Sequence, residues 1–213
     1  MNPKAAEEII EKIGKDRARV NEYKEYWQDI SPKNNDDILW RYVFSFLSVH
    51  TSWSTNVRGY NLLKANKEDW FKDKETLNQL IKSSGVGLDK NRTFGIWKFK
   101  EQFQTHPGYF KKLAHESWQE SRNRIMTDCF GLGLAKTSFA LELCFPLQAE
   151  VVCLDTHMLQ LYGYSPKDVA KGGSSKKKYS AMESHWIEQC KIHDVPPVLA
   201  RAIFWDLKQN KES

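Results

Sequence analysis

Apolar residues recur at three-, four- and seven-residue intervals along nearly the whole chain, the spacing of amphipathic helices. Ala5, Ile9, Ile13, Val20, Tyr23 and Trp27 form the stripe of a first helix, which stops near Ser31-Pro32. Asn34-Asn35-Asp36-Asp37 supplies an N-cap for a second, carrying Ile38, Leu39, Tyr42, Val43, Phe46 and Leu47. A third starts near Ser54 and holds Val57, Tyr60, Leu62 and Leu63. Further helices are predicted around 75–83, 90–104, 108–114, 117–128, 136–145, 156–161, 177–192 and 196–208. Breaks fall at Ser84-Gly85-Val86-Gly87, His106-Pro107-Gly108, Gly131-Leu132-Gly133, Gly163-Tyr164-Ser165-Pro166 and Val195-Pro196-Pro197. Only Val151-Val152-Cys153-Leu154 is ambiguous between strand and helix. The pattern predicts an all-α protein of roughly ten helices with short loops.

Composition narrows this picture. At 213 residues, 40% hydrophobic and 28% charged, the chain is long enough for a core and is not disordered by default. No apolar run approaches the ~18 residues of a membrane span. The longest stretch without a charged residue, Tyr42 to Val57, holds four serines and two threonines and reads as a buried helix. Met1 to Lys12 is charged and lacks the apolar core of a signal peptide, so an intracellular protein is expected. Cys129, Cys144, Cys153 and Cys190 are spaced 15, 9 and 37 positions apart, which suits neither zinc nor an iron–sulfur cluster. They read as reduced core thiols. A formal charge of +5 permits a polyanionic partner without proving one.

Two segments could carry chemistry. Gly131-Leu132-Gly133 lies between two apolar-periodic stretches, Arg124 to Phe130 and Leu134 to Cys144. Glycines one residue apart allow a tight turn and close approach of a ligand, and the free N–H groups opening the next helix attract phosphate. A plain turn between helices explains the same residues, and a third glycine of a nucleotide-binding loop is missing. Downstream, Cys153-Leu154-Asp155-Thr156-His157-Met158 puts Asp155 at a helix start. It is either an ordinary N-cap, worth ~1 kcal/mol, or a carboxylate kept ionised beside helix N–H groups. An ionised carboxylate facing a sugar is what departure of a base from C1′ needs, because positive charge develops on the sugar.

Taken together, the GLG hairpin, the packed helix after it and the Leu154-Asp155-Thr156-His157 helix start resemble the helix–hairpin–helix DNA glycosylases. That superfamily includes endonuclease III and the alkyladenine and 8-oxoguanine glycosylases. Phe46-Leu47-Ser48-Val49-His50-Thr51-Ser52 is similar to the family's L-S-x-Q-x-[ST] segment. Ile81-Lys82-Ser83-Ser84-Gly85-Val86-Gly87-Leu88-Asp89-Lys90 is similar to its I-K-x-x-G-hydrophobic-x-x-x-K loop. The motifs span residues 39 to 165 in the family's order.

The resemblance implies two helical subdomains with a DNA-binding cleft between them. Residues 39–150 would form a central subdomain ending in the hairpin, and 1–38 with 151–213 the second. Asp155 would stabilise the oxocarbenium-like sugar and assist water. N–H groups after Gly131 and Gly133, at Ala135 and Lys136, would hold a phosphate, with a structural monovalent cation at the hairpin as the one implied cofactor. His50 would fill the gap left by the extruded nucleotide, and Val86 or Leu88 would be the apolar wedge. Lys90 would contact the backbone. Endonuclease III's iron–sulfur cluster has no counterpart, and a monomer acting on double-stranded DNA with a damaged or modified base is implied.

The chain departs from the family at one telling position. Bifunctional members place a Schiff-base lysine two positions after the second hairpin glycine, where this chain has Ala135; Lys136 follows. One residue turns a helix by about 100°, so Lys136 should point elsewhere and stay charged. Twenty positions separate Ala135 from Asp155, the spacing of the monofunctional alkyladenine branch, and nineteen separate Lys136, which would suit a lysine enzyme with an inserted hairpin residue. A monofunctional, hydrolytic glycosylase is the reading adopted, with Lys136 as a catalytic alternative. Two other functions stay open: a phage-type enzyme that transfers a group onto a hypermodified thymine, and a module that only binds DNA.

Remaining features are weaker. Lys171-Gly-Gly-Ser-Ser-Lys-Lys-Lys178 is a solvated loop, or Lys176, Lys177 and Lys178 contact phosphates. Trp53 and His157 are candidates for the base pocket, although most large aromatics at helical spacing are core.

Overall fold

The computed structural model describes residues 2–48, 51–165, 167 and 173–212, with the side chains of all of these except 173, 174 and 210–212. Among the described residues every regular element is a helix. The chain forms two compact units, Pro32–Cys144 and Met1–Ser31 with Phe145–Ser213.

The second unit in sequence terms, formed by the two chain ends, begins with α1 (Lys4–Lys15) and α2 (Arg17–Asp29). The single first helix expected from the apolar stripe is therefore two. Asp16 leaves the helical region (φ −88°, ψ 70°), and its carboxylate accepts a hydrogen bond from the Arg19 N–H at 3.1 Å, so it caps the second helix. Gly14, two residues earlier, lets this corner approach the C-terminal part of the unit. A Cβ there would lie 2.8 Å from the His193 Cβ. The chain re-enters this unit at Phe145 and runs as a buried segment without regular structure through Val151–Leu154. Helices α10 (Thr156–Leu161), α11 (Gly173–Ile192) and α12 (Pro197–Glu212) follow. α1 packs on α11 and α12, and α12 packs on α2.

The continuous unit holds α3 (Asn35–Leu47), α4 (Trp53–Ala65), α5 (Lys67–Trp70), α6 (Lys74–Ser84), α7 (Asp89–Thr105), α8 (Trp118–Asp128) and α9 (Leu134–Cys144). α3 is its axis, packed on α4, α7 and α9. It starts at a reciprocal capping box between Asn34 and Asp37. Its Tyr42 and Phe46 are fully buried, and Tyr42 stacks on Phe99 of α7 with ring centres 5.1 Å apart. The Tyr42 hydroxyl donates to the Phe110 carbonyl at 3.0 Å, so the one polar atom on this ring is satisfied.

Two local expectations change. The uncharged run from Tyr42 to Val57 is not one helix: α3 ends at Leu47, and Ser52 caps α4 by accepting from the Thr55 N–H. Serine and threonine side chains compete for backbone groups, which favours a break and a new start. The helix expected at 108–114 is a 3-10 turn, Pro107–Phe110. Pro107 and Gly108 shorten it.

Candidate active site

The hairpin joins α8 to α9 in the Pro32–Cys144 unit. Cys129 to Gly133 make the turn, closed by a hydrogen bond from the Leu132 N–H to the Cys129 carbonyl at 3.3 Å. The two glycines serve different ends. Gly131 has φ +87°, and a Cβ there would sit 3.4 Å from the Phe46 ring, so turn and packing both require glycine. At Gly133 a Cβ would meet nothing within 4 Å, and the backbone is not left-handed. The fold makes no demand for glycine at this second position. Behind it, Leu134, Ala135 and Lys136 form the first turn of α9, whose N–H groups have no acceptor within the helix.

Ala135 and Lys136 occupy successive helical positions, so their side chains diverge. The Lys136 amine folds back on the hairpin and donates to the Gly131 carbonyl at 3.1 Å. Its position beside a phosphate-binding turn predicts a fully charged amine. In the structure burial pushes it down to about 8, with repulsion from the Arg92 guanidinium adding to the effect. A monovalent cation on the hairpin would compete with this ammonium for the Gly131 carbonyl and with the Leu132 N–H for that of Cys129. The residues present do not fit one, and the chemistry proposed for the chain uses none.

Three further segments gather around Arg92 of α7. Its guanidinium, 3% exposed, donates to the carbonyls of Phe46 (3.2 Å), Val86 and Gly87 (2.6 Å) and to the Thr51 hydroxyl (3.0 Å). The motif ending α3 and the loop between α6 and α7 are thereby held to one side chain. Val86 is buried, with a Cγ 2.8 Å from where a Gly59 Cβ would lie. Leu88 is half-exposed at 49% and takes a left-handed conformation (φ 51°) at the start of α7. Lys90 lies exposed one residue into that helix's first turn. Trp53 opens α4, 56% exposed, with its ring edge-on to Phe44 at 5.3 Å. His50 lies outside the described residues.

Asp155 belongs to the other unit. The buried segment leading to it is fixed from α11: the Tyr179 hydroxyl donates to the Val152 carbonyl at 2.6 Å and accepts from the Leu154 N–H at 3.3 Å, and Glu183 accepts from the Val152 N–H at 2.9 Å. Asp155 then caps α10. One carboxylate oxygen, Oδ1, accepts from the His157 and Met158 N–H groups, each at 3.0 Å. The other, Oδ2, faces Arg201 of α12, whose Nη1 is 3.4 Å away. Arg201 is nearly buried, whereas the Asp155 side chain keeps 28% of its surface exposed. The two carboxylate oxygens thus have different partners, helix N–H groups on one and a guanidinium on the other. The imidazole Nδ1 of His157 is buried without a hydrogen-bond partner, and His157 and Trp53 lie in different units. Lys176, Lys177 and Lys178 are exposed in the first turns of α11, and the Lys178 amine lies over the Tyr164 ring at 5.4 Å. Lys171 lies outside the described residues.

Arg92, Arg201, Tyr179 and Glu183, which hold these segments, stand in no motif of the sequence. Arg201 did leave a signal, being the one charge within Val198-Leu199-Ala200-Arg201-Ala202-Ile203-Phe204. A charge on an apolar face is buried against a partner or aimed at a ligand. The four cysteines are buried thiols, and burial pushes that of Cys129 up to about 12, which leaves it unreactive. Among the described residues no group of three His, Cys, Asp or Glu could hold a metal ion, and no helix is long and apolar enough to cross a membrane.

This all-helical architecture is found in two solved DNA glycosylases. The chain superposes on the 8-oxoguanine DNA glycosylase of Methanocaldococcus jannaschii with a TM-score of 0.74 and 16% identity, covering 96% of this chain and 94% of that one. It superposes on the 8-oxoguanine DNA glycosylase of Thermotoga maritima with a TM-score of 0.70 and 18% identity, covering 93% and 96%. The chain has their fold. No family model matches the sequence, and no curated protein is similar to it in sequence.

Proposed function

We propose that the chain is a DNA N-glycosylase of base-excision repair, which extrudes a damaged or modified base from double-stranded DNA and hydrolyses its N-glycosidic bond. The observation that carries this reading is the division of labour on Asp155: Oδ1 is fixed by two helix N–H groups while Oδ2 faces Arg201, and the side chain as a whole stays partly exposed. A carboxylate so fixed meets the positive charge that develops at C1′ without having to reorganise. The C1′–N bond breaks with its electron pair leaving on the base, water adds to C1′, and Asp155 takes the proton that the water sheds. Gly133 supports the DNA half of the reading. Glycine there serves no packing need, and it leaves room for a phosphate to approach the N–H groups of the first turn of α9.

A second reading, in which Lys136 also attacks C1′ and the strand is nicked, is favoured by one observation. Its amine is pushed down to about 8, so about a tenth is neutral and nucleophilic at pH 7. One assay separates the two: incubation with a panel of duplexes bearing oxidised, alkylated or deaminated bases, with and without alkali. Hydrolysis alone leaves strands that break only in alkali, whereas the lysine route breaks them unaided and gives a borohydride-trapped adduct. An unaltered strand throughout, or an intact nucleotide of increased mass, would remove the glycosylase reading.

A further inference from the structure

We infer that Arg92 is the positioning residue for Leu88, holding it in place for insertion into the duplex. The inference rests on the glycosylase reading and adds to it a residue outside every recognised motif.

The loop Gly85-Val86-Gly87-Leu88 cannot hold its shape by local preference. Three residues of this loop have positive φ: Gly85 (74°), Gly87 (74°) and Leu88 (51°). For leucine that conformation is strained, because its Cβ crowds the following carbonyl. Such a residue persists only where its surroundings over-determine it. Arg92 supplies that constraint from two directions. Its own N–H bonds the Leu88 carbonyl at 2.9 Å, which makes Leu88 the first acceptor of α7. Its guanidinium binds the carbonyls of Val86 and Gly87 immediately before Leu88, and the Phe46 carbonyl anchors the same group to α3. The Thr51 hydroxyl, which accepts from Arg92, donates in turn to the Val86 carbonyl at 3.2 Å. Arg58 pins the other end, with two donors on the Ser84 carbonyl at 3.0 and 2.8 Å.

The consequence is selective. Val86 is buried in the core, and Leu88 is half-exposed at the loop's end. A side chain that must fill the space of an extruded nucleotide gains by being placed before DNA arrives, because its ordering is then complete. The guanidinium also bears on the Lys136 amine through charge, which puts the loop and the hairpin under one group.

The test uses full-length protein and a duplex with a tetrahydrofuran abasic analogue flanked by 2-aminopurine, whose fluorescence rises on unstacking. Leu88→Ala, Arg92→Gln and the double variant are compared after melting curves show each folded. Fluorescence should fall about fivefold in either single variant, with duplex affinity changed less than about threefold, and the double variant should lose no more than a single one. Arg92→Lys should recover part of the signal. Thr51→Val, which deletes one contact and keeps the shape, should lose about half of it and serves if Arg92→Gln fails to fold. Loss in Leu88→Ala with full signal in Arg92→Gln, or in Thr51→Val where that stands in for it, overturns the inference alone. Additive losses in the double variant overturn it too, since they would mark a general structural effect. A wild-type protein that neither binds nor unstacks the probe overturns it together with the glycosylase reading.

Discussion

Arg201 Nη1 lies 3.4 Å from Oδ2 of Asp155, the carboxylate oxygen that the helix N–H groups leave over. A planar, nearly buried guanidinium fixes the direction of that oxygen, as a flexible ammonium would not. Arg201→Ala should lower kcat about tenfold to a hundredfold with a smaller change in KM, because orientation matters most as charge develops. Arg201→Lys should restore part of it. Equal losses in kcat/KM and DNA affinity would instead place Arg201 in ground-state binding.

Gly131 and Gly133 should separate cleanly. Gly131→Ala forces a Cβ into a left-handed turn 3.4 Å from Phe46 and should destabilise the unit by roughly 1–2 kcal/mol. Gly133→Ala should melt like wild type and lose about tenfold or more in duplex affinity, most clearly at low salt. Melting curves and salt-dependent binding isotherms check both. Unchanged affinity in Gly133→Ala would remove the phosphate from the hairpin.

Glu116 and Arg124 form a two-point ion pair at 2.7 and 2.9 Å, and Arg124 also bonds the carbonyls of Tyr109 and Lys111. The pair holds the Glu116 carboxyl at about 2, against an ordinary 4.5. A depressed carboxylate contributes stability that is complete above its unfolded value and lost as pH falls toward the folded one. Stability should therefore decline between about pH 5 and pH 2, by on the order of 1–2 kcal/mol after allowing for screening, and Glu116→Gln should flatten that arm. Urea melts across this range give the answer.

Lys136 should titrate near pH 8, well below an ordinary lysine. Competitive acetylation read by peptide mass spectrometry should show its reactivity rising through that value, and any borohydride adduct should follow the same curve and vanish in Lys136→Gln. Titration near 10.5 would show the amine to be solvated.

Most helices were legible because each buries one apolar stripe, and that period survives in the sequence. The break at Asp16 was not read, since Val20, Tyr23 and Trp27 continue the spacing of Ala5, Ile9 and Ile13 across it, although Gly14 and Asp16 carried the signal. Gly131, Gly133 and Asp155 were legible as local motifs, each confined to a few consecutive residues. Arg92 and Arg201 act on partners brought close only by folding: Phe46 is 46 positions from one and Asp155 is 46 from the other. That Val86 is buried and Leu88 half-exposed likewise became visible only in the fold, because both are apolar and two residues apart.

The central claim is that Asp155 is the group that meets the charge on the sugar. Asp155→Asn keeps the shape and the cap at α10 while removing the negative charge. The decisive measurement is single-turnover base release by this variant from whichever lesion duplex the wild type processes, beside its affinity for the same duplex. A fall of about a thousandfold or more in release, with binding within about threefold of wild type, is the result predicted. Release near the wild-type rate would contradict the account.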